Sequence, residues 1–115
     1  MYYYEIRIFN LSDCQIEQID KILGIKSPSR TGAWFYETTQ HEDGSSYCFV
    51  DDFLSILKGK YEQLEEIGVF RNAISFWLLY EYDQQCNLEF SPKEMTKIGR
   101  EGITLCISCW EKEFK

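Results

Sequence analysis

The most constraining feature of this chain is the stretch ISFWLLYEY at residues 74–82. Side chains of a β-strand alternate between two faces, and here both alternating rows are apolar. One row holds Ile74, Phe76 and Leu78, while Trp77 and Leu79 belong to the other. A strand that is apolar on both faces is typical of a central position in a sheet. The pattern therefore predicts a sheet with this strand inside it.

Strand and helix patterns follow one another along the rest of the chain. Residues 2–9 (YYYEIRIF), 33–39 (AWFYETT) and 103–110 (ITLCISCW) are predicted strands. Apolar stripes predict helices over residues 11–24, 47–59 and 91–102, with a short helical continuation over 60–68. The helix over residues 91–102 has the clearest start. Ser91 fits an N-cap, Pro92 the first helical position, and Glu94 completes a capping box with Ser91.

The order of these elements predicts an α/β (α+β) fold in a single domain over residues 1–115. Two β-α-β units joined by a helical segment predict one mixed sheet covered by helices. A right-handed crossover within each unit is the default. The expected arrangement is ferredoxin-like with an inserted helix.

The charge balance restricts the possible partners. With 12 basic and 19 acidic residues, the chain has a net charge of −7. Binding to nucleic acid or to an anionic membrane is disfavoured, because phosphate-binding surfaces need a basic face. A basic protein is the partner that this sign favours. The acidic charge also agrees with a simpler interpretation, that it keeps a small protein soluble.

Location is predicted from the N-terminus and the cysteines. Residues 1–10 (MYYYEIRIFN) lack the features of a signal peptide, and no stretch approaches the roughly 18 apolar residues of a membrane span. The chain has five cysteines, an odd number without an obvious disulfide framework. We therefore expect a protein of the reducing cytoplasm.

The motif CISCW at residues 106–110 resembles a metal or redox site only in its spacing. On a strand, Cys106 and Cys109 project to opposite faces, whereas a zinc pair must converge on one ion. A second ligand pair is missing, so the two cysteines are interpreted as small apolar residues. We expect no metal and no other cofactor.

Catalysis is also not expected. His41 is the only histidine and lies in a polar loop. Asp51 and Asp52 are adjacent, so on a helix they diverge by about 100° and do not converge on one substrate. The first turn of a helix favours both negative charges, which explains them without a catalytic role.

The acidic residues are unevenly distributed. Residues 31–57 contain five acids and no Lys or Arg, and residues 72–92 again contain no basic residue. If these stretches are neighbours in space, they form one acidic face beside aromatic side chains, which suits a basic protein partner. The alternative is that the aromatic residues belong to the core and the acids to a solvated rim. The candidate partner-binding residues are Trp34, Glu37, Glu42, Asp43, Tyr47, Asp51, Asp52 and Asp83.

Several stretches resemble the DUF4279 family of small, mostly bacterial domains of unknown function. They are LSDCQIEQIDKILGI followed by KSP, the segment TGAW, the segment DDFLSILKGKYEQLEEI, and NLEFSPKEMTKIGREGITLCISCW. They cover most of the chain in the order of that family. The resemblance implies a small α/β domain without established catalytic residues. It also implies a likeness to immunity proteins, which neutralise toxins used in bacterial competition.

Two hypotheses for function follow. The first is a non-enzymatic, cytoplasmic immunity protein whose acidic, aromatic-containing face occludes a cognate toxin, for example the basic groove of a nuclease. The second is a small-ligand-binding or regulatory domain, with a cavity between sheet and helices lined by Trp34, Phe76 and Trp77. The sequence leaves the oligomeric state open.

Overall fold

The predicted strands come together in one four-stranded sheet. The structure, a computed structural model, describes residues 2–28, 32–40, 49–83 and 88–112. In chain order the elements are β1 (Tyr2–Ile8), α1 (Asp13–Leu23), β2 (Trp34–Gln40), α2 (Phe49–Leu57), α3 (Tyr61–Glu66), a short 3-10 helix (Arg71–Ala73), β3 (Ile74–Tyr82), α4 (Pro92–Glu101) and β4 (Thr104–Glu111). Within these described ranges, no helix combines the length and apolarity needed to cross a membrane.

The sheet is mixed, as predicted, with the strand order β2-β1-β3-β4. β1 runs antiparallel to both β2 and β3, and β3 runs parallel to β4. The segment β3-α4-β4 is therefore a β-α-β unit with parallel neighbours. The segment β1-α1-β2 instead joins adjacent antiparallel strands, so no parallel crossover occurs there. The α+β class and the interior position of β3 are confirmed, whereas the ferredoxin-like detail is not.

Helices α1 and α4 begin and end where the sequence signals predict. The Ser12 hydroxyl accepts the Gln15 backbone N–H at 3.1 Å, and the Ser91 hydroxyl accepts that of Glu94 at 3.2 Å. The Gln15 and Glu94 side chains each bond back to the N-cap backbone, which completes two capping boxes. Gly24 ends α1 in the left-handed conformation with a φ of 70°, which a glycine adopts without steric cost.

The core lies between the helices and one face of the sheet. Phe53 of α2 is fully buried, and its ring lies 5.2 Å from that of Phe76 on β3 and 5.9 Å from that of Tyr36 on β2. All core residues contributed by β1, β2 and β3 have even residue numbers, and the register places them on the same face of the sheet. The helices therefore pack on that single face. The core consists of Tyr4, Ile6, Ile8, Ile16, Ile19, Trp34, Phe49, Val50, Phe53, Leu57, Leu64, Val69, Ile74, Phe76, Leu78, Ile98 and Ile103.

Trp34 is part of this core. It is fully buried, and its indole Nε1–H donates to Asp20 Oδ1 at 2.9 Å. The same carboxylate oxygen accepts the backbone N–H of Ser27, whose hydroxyl in turn accepts the backbone N–H of Phe35. These bonds hold the start of β2 against α1. The predicted role of Trp34 as a surface contact for a partner does not fit this burial, because the indole has no exposed surface to offer.

We expect Trp34→Phe to lower the free energy of unfolding by at least about 2 kcal/mol, because the change removes buried ring volume and a hydrogen bond to a charged group. Urea denaturation measures this loss. Trp110→Phe is the matched control, since Trp110 is 39% exposed, and a change within about 0.5 kcal/mol is expected there. Equal losses in the two variants would contradict the structural role assigned to Trp34.

Candidate functional site

The second face of the sheet carries no helix among the described residues. We call it the open face, formed by the strand residues that point away from the core. Antiparallel and parallel register place the following residues on it: Tyr3, Glu5 and Arg7 of β1, Phe35 and Glu37 of β2, Ser75, Trp77, Leu79 and Glu81 of β3, and Thr104, Cys106, Ser108 and Trp110 of β4. A sheet face that the described helices leave uncovered, and that is rich in aromatic side chains, is a natural candidate for contact with a partner.

Arg7 organises the middle of the open face. Its guanidinium lies 4.1 Å from the ring centroid of Trp77 and 5.8 Å from that of Phe35. Its Nε donates to Glu5 Oε1 at 2.6 Å, and both side chains are largely buried. Contact with two aromatic rings and a carboxylate restrains all three neighbours of the guanidinium. The result is a rigid cluster at the surface.

Further contacts extend this cluster toward one end of the sheet. The Trp77 indole Nε1–H donates to the Ser75 hydroxyl at 2.8 Å, and that hydroxyl donates to the Arg7 carbonyl oxygen at 3.2 Å. The ring of Phe9, just after β1, meets the Phe35 ring edge to face at 6.4 Å. Phe9 remains 41% exposed, so it presents apolar surface beside the cluster.

Two carboxyl groups face each other across β1 and β2 on the open face. Glu5 and Glu37 are directly opposite in the antiparallel register. Glu5 is buried and Glu37 is exposed. Although Glu37 is exposed overall, partial burial of its carboxyl group raises its pKa above the ordinary value of 4.5. The Glu5 carboxylate and a hydrogen bond with it raise this pKa further, and Arg7 lowers it. Like charges in directly opposed strand positions destabilise a sheet.

The open face carries more negatively charged than positively charged side chains. The strand residues of the open face include three carboxylates, Glu5, Glu37 and Glu81, against the single guanidinium of Arg7. Arg7 already contacts Glu5, whereas Glu37 is exposed to incoming groups. A lysine or arginine side chain placed at Glu37 would relieve the repulsion between the two carboxylates and contact the neighbouring rings.

The described residues that were predicted to bind a partner lie on different sides of the sheet. Glu37 lies on the open face, whereas Asp51 and Asp52 lie in the first turn of α2, in the helical layer on the other side of the sheet. Asp51 forms an ion pair with Lys97 at 2.6 Å, and Asp83 follows the end of β3. The predicted residues Glu42, Asp43 and Tyr47, together with His41, lie outside the described residues.

The single acidic face expected from the sequence is therefore not formed by the predicted acids that the structure describes. The sheet itself separates Glu37 from Asp51 and Asp52. The carboxylate that lies opposite Glu37 is that of Glu5, which is not among the residues predicted to bind a partner. Strand alternation in YYYEIRIF places Glu5 and Arg7 on one face, but only the register shows that this face meets Glu37, Phe35 and Trp77.

The two cysteines of CISCW lie on β4, as predicted. In the register with β3, Cys106 is the partner of Trp77 on the open face and Cys109 is the partner of Tyr80 on the helical side. Their thiols therefore point to opposite faces of the sheet. Among the described residues, no group of three or more His, Cys, Asp or Glu side chains is placed to hold a metal ion.

A cleft of about 500 Å³ lies in the helical layer, between the end of α2, the start of α3 and the end of α4. Its lining includes Lys58, Tyr61 and Glu101. The Tyr61 hydroxyl is buried and forms no hydrogen bond of acceptable geometry. Burial raises the pKa of Tyr61 to about 12, the nearby Glu101 carboxylate adds to this, and Arg71 opposes it. This cleft differs from the predicted cavity, because Trp34 and Phe76 fill the core and Trp77 lies on the opposite face.

Comparison with protein-family models, with curated proteins and with solved structures found no match.

We expect Glu37→Gln to raise the free energy of unfolding by about 0.2–1 kcal/mol at pH 7, because the amide removes the repulsion with Glu5. The raised pKa means that wild-type stability falls as pH rises through the folded-state value, above the ordinary 4.5. The advantage of the variant should therefore shrink as pH falls from 7 toward 4.5. Urea denaturation at several pH values measures it.

Glu89→Gln is the matched control for this measurement, since Glu89 is exposed and lies outside regular secondary structure. It should show a smaller effect on the free energy of unfolding at pH 7. A Glu37→Gln variant less stable than wild type at pH 7 would contradict the proposed repulsion.

Proposed function

We propose that this chain is a non-enzymatic, cytoplasmic protein that binds a basic protein partner through the open face of its sheet. The observation that carries the proposal is the cross-strand pair of Glu5 and Glu37, held beside Arg7, Phe35 and Trp77 on a face without a helix among the described residues. This site combines a surplus of negative charge with aromatic surface. Basic side chains of a partner would form ion pairs with the carboxylates and pack against the aromatic rings.

The electrostatic part of the proposal concerns the rate of association. A chain of net charge −7 attracts a basic partner over a distance of about one Debye length, roughly 8–10 Å at physiological ionic strength. Once the partner is in contact, Glu37 supplies an exposed carboxylate, and Phe9 and Trp110 supply exposed apolar surface. Steering of this kind predicts association that slows as salt is added.

The most concrete form of the proposal is an immunity protein that neutralises a cognate toxin. This part rests on the likeness to small bacterial domains of that kind and on the acidic charge. A nuclease has a basic substrate groove, so carboxylates of the open face would take the place of substrate phosphates. The mechanism would be occlusion and would require no catalytic residue in this chain.

The test uses two variants with the same change in net charge. Glu37→Lys alters the open face and Asp52→Lys alters the exposed start of α2. A partner captured from a native bacterial lysate is identified, purified and measured by stopped-flow association. At low salt, Glu37→Lys should slow association by about tenfold or more, and Asp52→Lys by less than about threefold. Equal effects would show that overall charge, not the open face, controls binding.

The toxin hypothesis has a separate test. The captured partner is expressed alone and together with this chain, and growth is recorded. Expression alone should stop growth, and co-expression of the wild-type chain should restore it better than co-expression of Glu37→Lys. A partner that is harmless when expressed alone would contradict neutralisation while leaving protein binding intact.

The cleft beside Tyr61 supports a second candidate function, the binding of a small polar ligand. Its volume of about 500 Å³ falls within the range of small-molecule sites, and its lining includes Tyr61, whose buried hydroxyl has no hydrogen-bond partner of acceptable geometry. A ligand that accepts a hydrogen bond from Tyr61 would remove an unfavourable feature of the folded chain.

A thermal-shift screen against polar metabolites tests this alternative. A true ligand should raise the melting temperature of wild type, and Tyr61→Phe should reduce that rise because the hydroxyl is lost. The unliganded Tyr61→Phe variant should be at least as stable as wild type, since it lacks the unsatisfied buried group. A ligand-induced shift that is identical in both proteins would place the ligand elsewhere.

A further inference from the structure

Two tryptophans of the open face each lie opposite a glutamate on a neighbouring strand. In the antiparallel register of β1 and β3, Glu5 is the partner of Trp77. In the parallel register of β3 and β4, Glu81 is the partner of Trp110. Register partners point to the same face of a sheet, so each pair places a carboxylate beside an indole ring. The open face therefore carries the same combination of side chains twice.

The first pair already contacts a guanidinium group. The Arg7 guanidinium lies 4.1 Å from the centroid of the Trp77 ring, and Arg7 Nε donates to Glu5 Oε1 at 2.6 Å. A guanidinium is planar and weakly hydrated, so it stacks on an indole ring while its N–H groups bond to a carboxylate. The structure thus shows which group a tryptophan–glutamate pair of this face accommodates.

The second pair has different neighbours. The Trp110 indole Nε1–H donates to Glu81 Oε2 at 3.3 Å, which holds the carboxylate beside the ring. Two residues after Glu81 stands Asp83, whereas Arg7 stands two residues after Glu5. Among the described residues, no basic side chain forms an ion pair with Glu81 or lies over the Trp110 ring. The second pair therefore has the carboxylate and the ring of the first pair without its guanidinium.

A cleft of about 420 Å³ opens beside the second pair, lined by Glu81, Trp110, Glu111 and Lys112. Trp110 is 39% exposed and Glu81 is half-buried, so a side chain from another molecule can reach both. The lining carries two carboxylates and one ammonium group, so negative charge exceeds positive charge. An aromatic face beside excess negative charge favours a cation.

We propose that Trp110 and Glu81 form the contact for an arginine side chain of the basic partner. Its guanidinium stacks on the indole ring and donates hydrogen bonds to the carboxylate. The inference rests on the proposed binding of a basic partner to the open face, and it adds the residue type and a point of contact. Lysine fits less well, because its ammonium group is a strongly hydrated point charge that cannot stack on a ring.

This contact is separate from the one proposed at Glu37. Glu81 lies four residues from Trp77 along β3, which corresponds to about 13 Å. Glu37 is level with Trp77 but two strands away, at about 10 Å. The two carboxylates are therefore roughly 16 Å apart on the open face. A partner that contacts both presents two basic side chains at a similar separation.

A peptide titration tests the arginine contact without the natural partner. The probes are acetyl-Gly-Arg-Gly-amide and versions with lysine or citrulline in place of arginine, since citrulline has a similar shape without the charge. The indole Nε1–H signal of Trp110, assigned from a Trp110→Phe spectrum, is followed by NMR at low salt. The arginine peptide should shift it with a Kd at least about threefold below that of the lysine peptide and tenfold below that of the citrulline peptide. No shift, or equal Kd values, would overturn the proposal.

Charge variants locate the binding of the arginine peptide. Glu81→Gln should raise its Kd at least about fivefold, because a charge-assisted hydrogen bond is lost. Glu89→Gln is the matched control outside the strands and should change the Kd less than about twofold. Lys112→Gln should lower the Kd, because it removes a like charge from the cleft. Unchanged indole signals of Trp34 and Trp77 establish that the variants are folded. Equal effects of the two glutamate variants, or a higher Kd in Lys112→Gln, would overturn the assignment.

The captured basic partner separates this inference from the proposed function. Glu81→Gln should raise the Kd for that partner at least about fivefold, and Glu89→Gln should not. A partner whose binding depends on Glu37 but not on Glu81 would overturn the arginine contact and leave the open face as the binding surface. If no basic partner binds the open face, the proposed function fails, whereas the peptide titration still decides whether Trp110 and Glu81 bind a guanidinium.

Discussion

The packing of aromatic rings between α2 and the sheet is the interaction on which the other features depend. Phe53 brings together Tyr36, Phe49 and Phe76 within one buried cluster, at ring-centroid distances of 5.2–5.9 Å. Aromatic side chains bury large areas and favour edge-to-face contacts of this kind. The described helices contribute to a single core on one face of the sheet. The open face therefore carries charged and aromatic side chains that no described helix covers.

On the open face, Arg7 provides packing contacts between strands, as the helices do on the opposite face. The guanidinium packs on Trp77 and Phe35 and pairs with Glu5, so three strands are held together by one side chain. A charged residue in such a position keeps the surface polar and rigid. The cost is the close approach of Glu5 to Glu37: partial burial raises the pKa of Glu37, and the neighbouring Glu5 carboxylate raises it further. Structural support and a local excess of negative charge thus arise from the same cluster.

The prediction of an acidic binding face illustrates how sequence distance misleads. Glu37, Asp51 and Asp52 are close in the chain, yet the sheet lies between them because β2 contributes alternate residues to opposite faces. Trp34 and Glu37 are likewise three residues apart and occupy different sides, one in the core and one exposed. Charge density along the chain therefore did not show which acidic residues share a face of the sheet.

The sequence by itself determined the local structure: the strands, the capping boxes at Ser12 and Ser91, the interior position of β3 and the separation of Cys106 from Cys109. These features depend on alternation, on helical periodicity and on hydrogen bonds between residues close in the chain. Only the tertiary structure decided that β1 and β2 are antiparallel neighbours, that Glu5 faces Glu37, and that β4 is an edge. Those outcomes depend on which strands pair and in which register, and contacts between residues far apart in the chain leave no periodic signal in a single sequence.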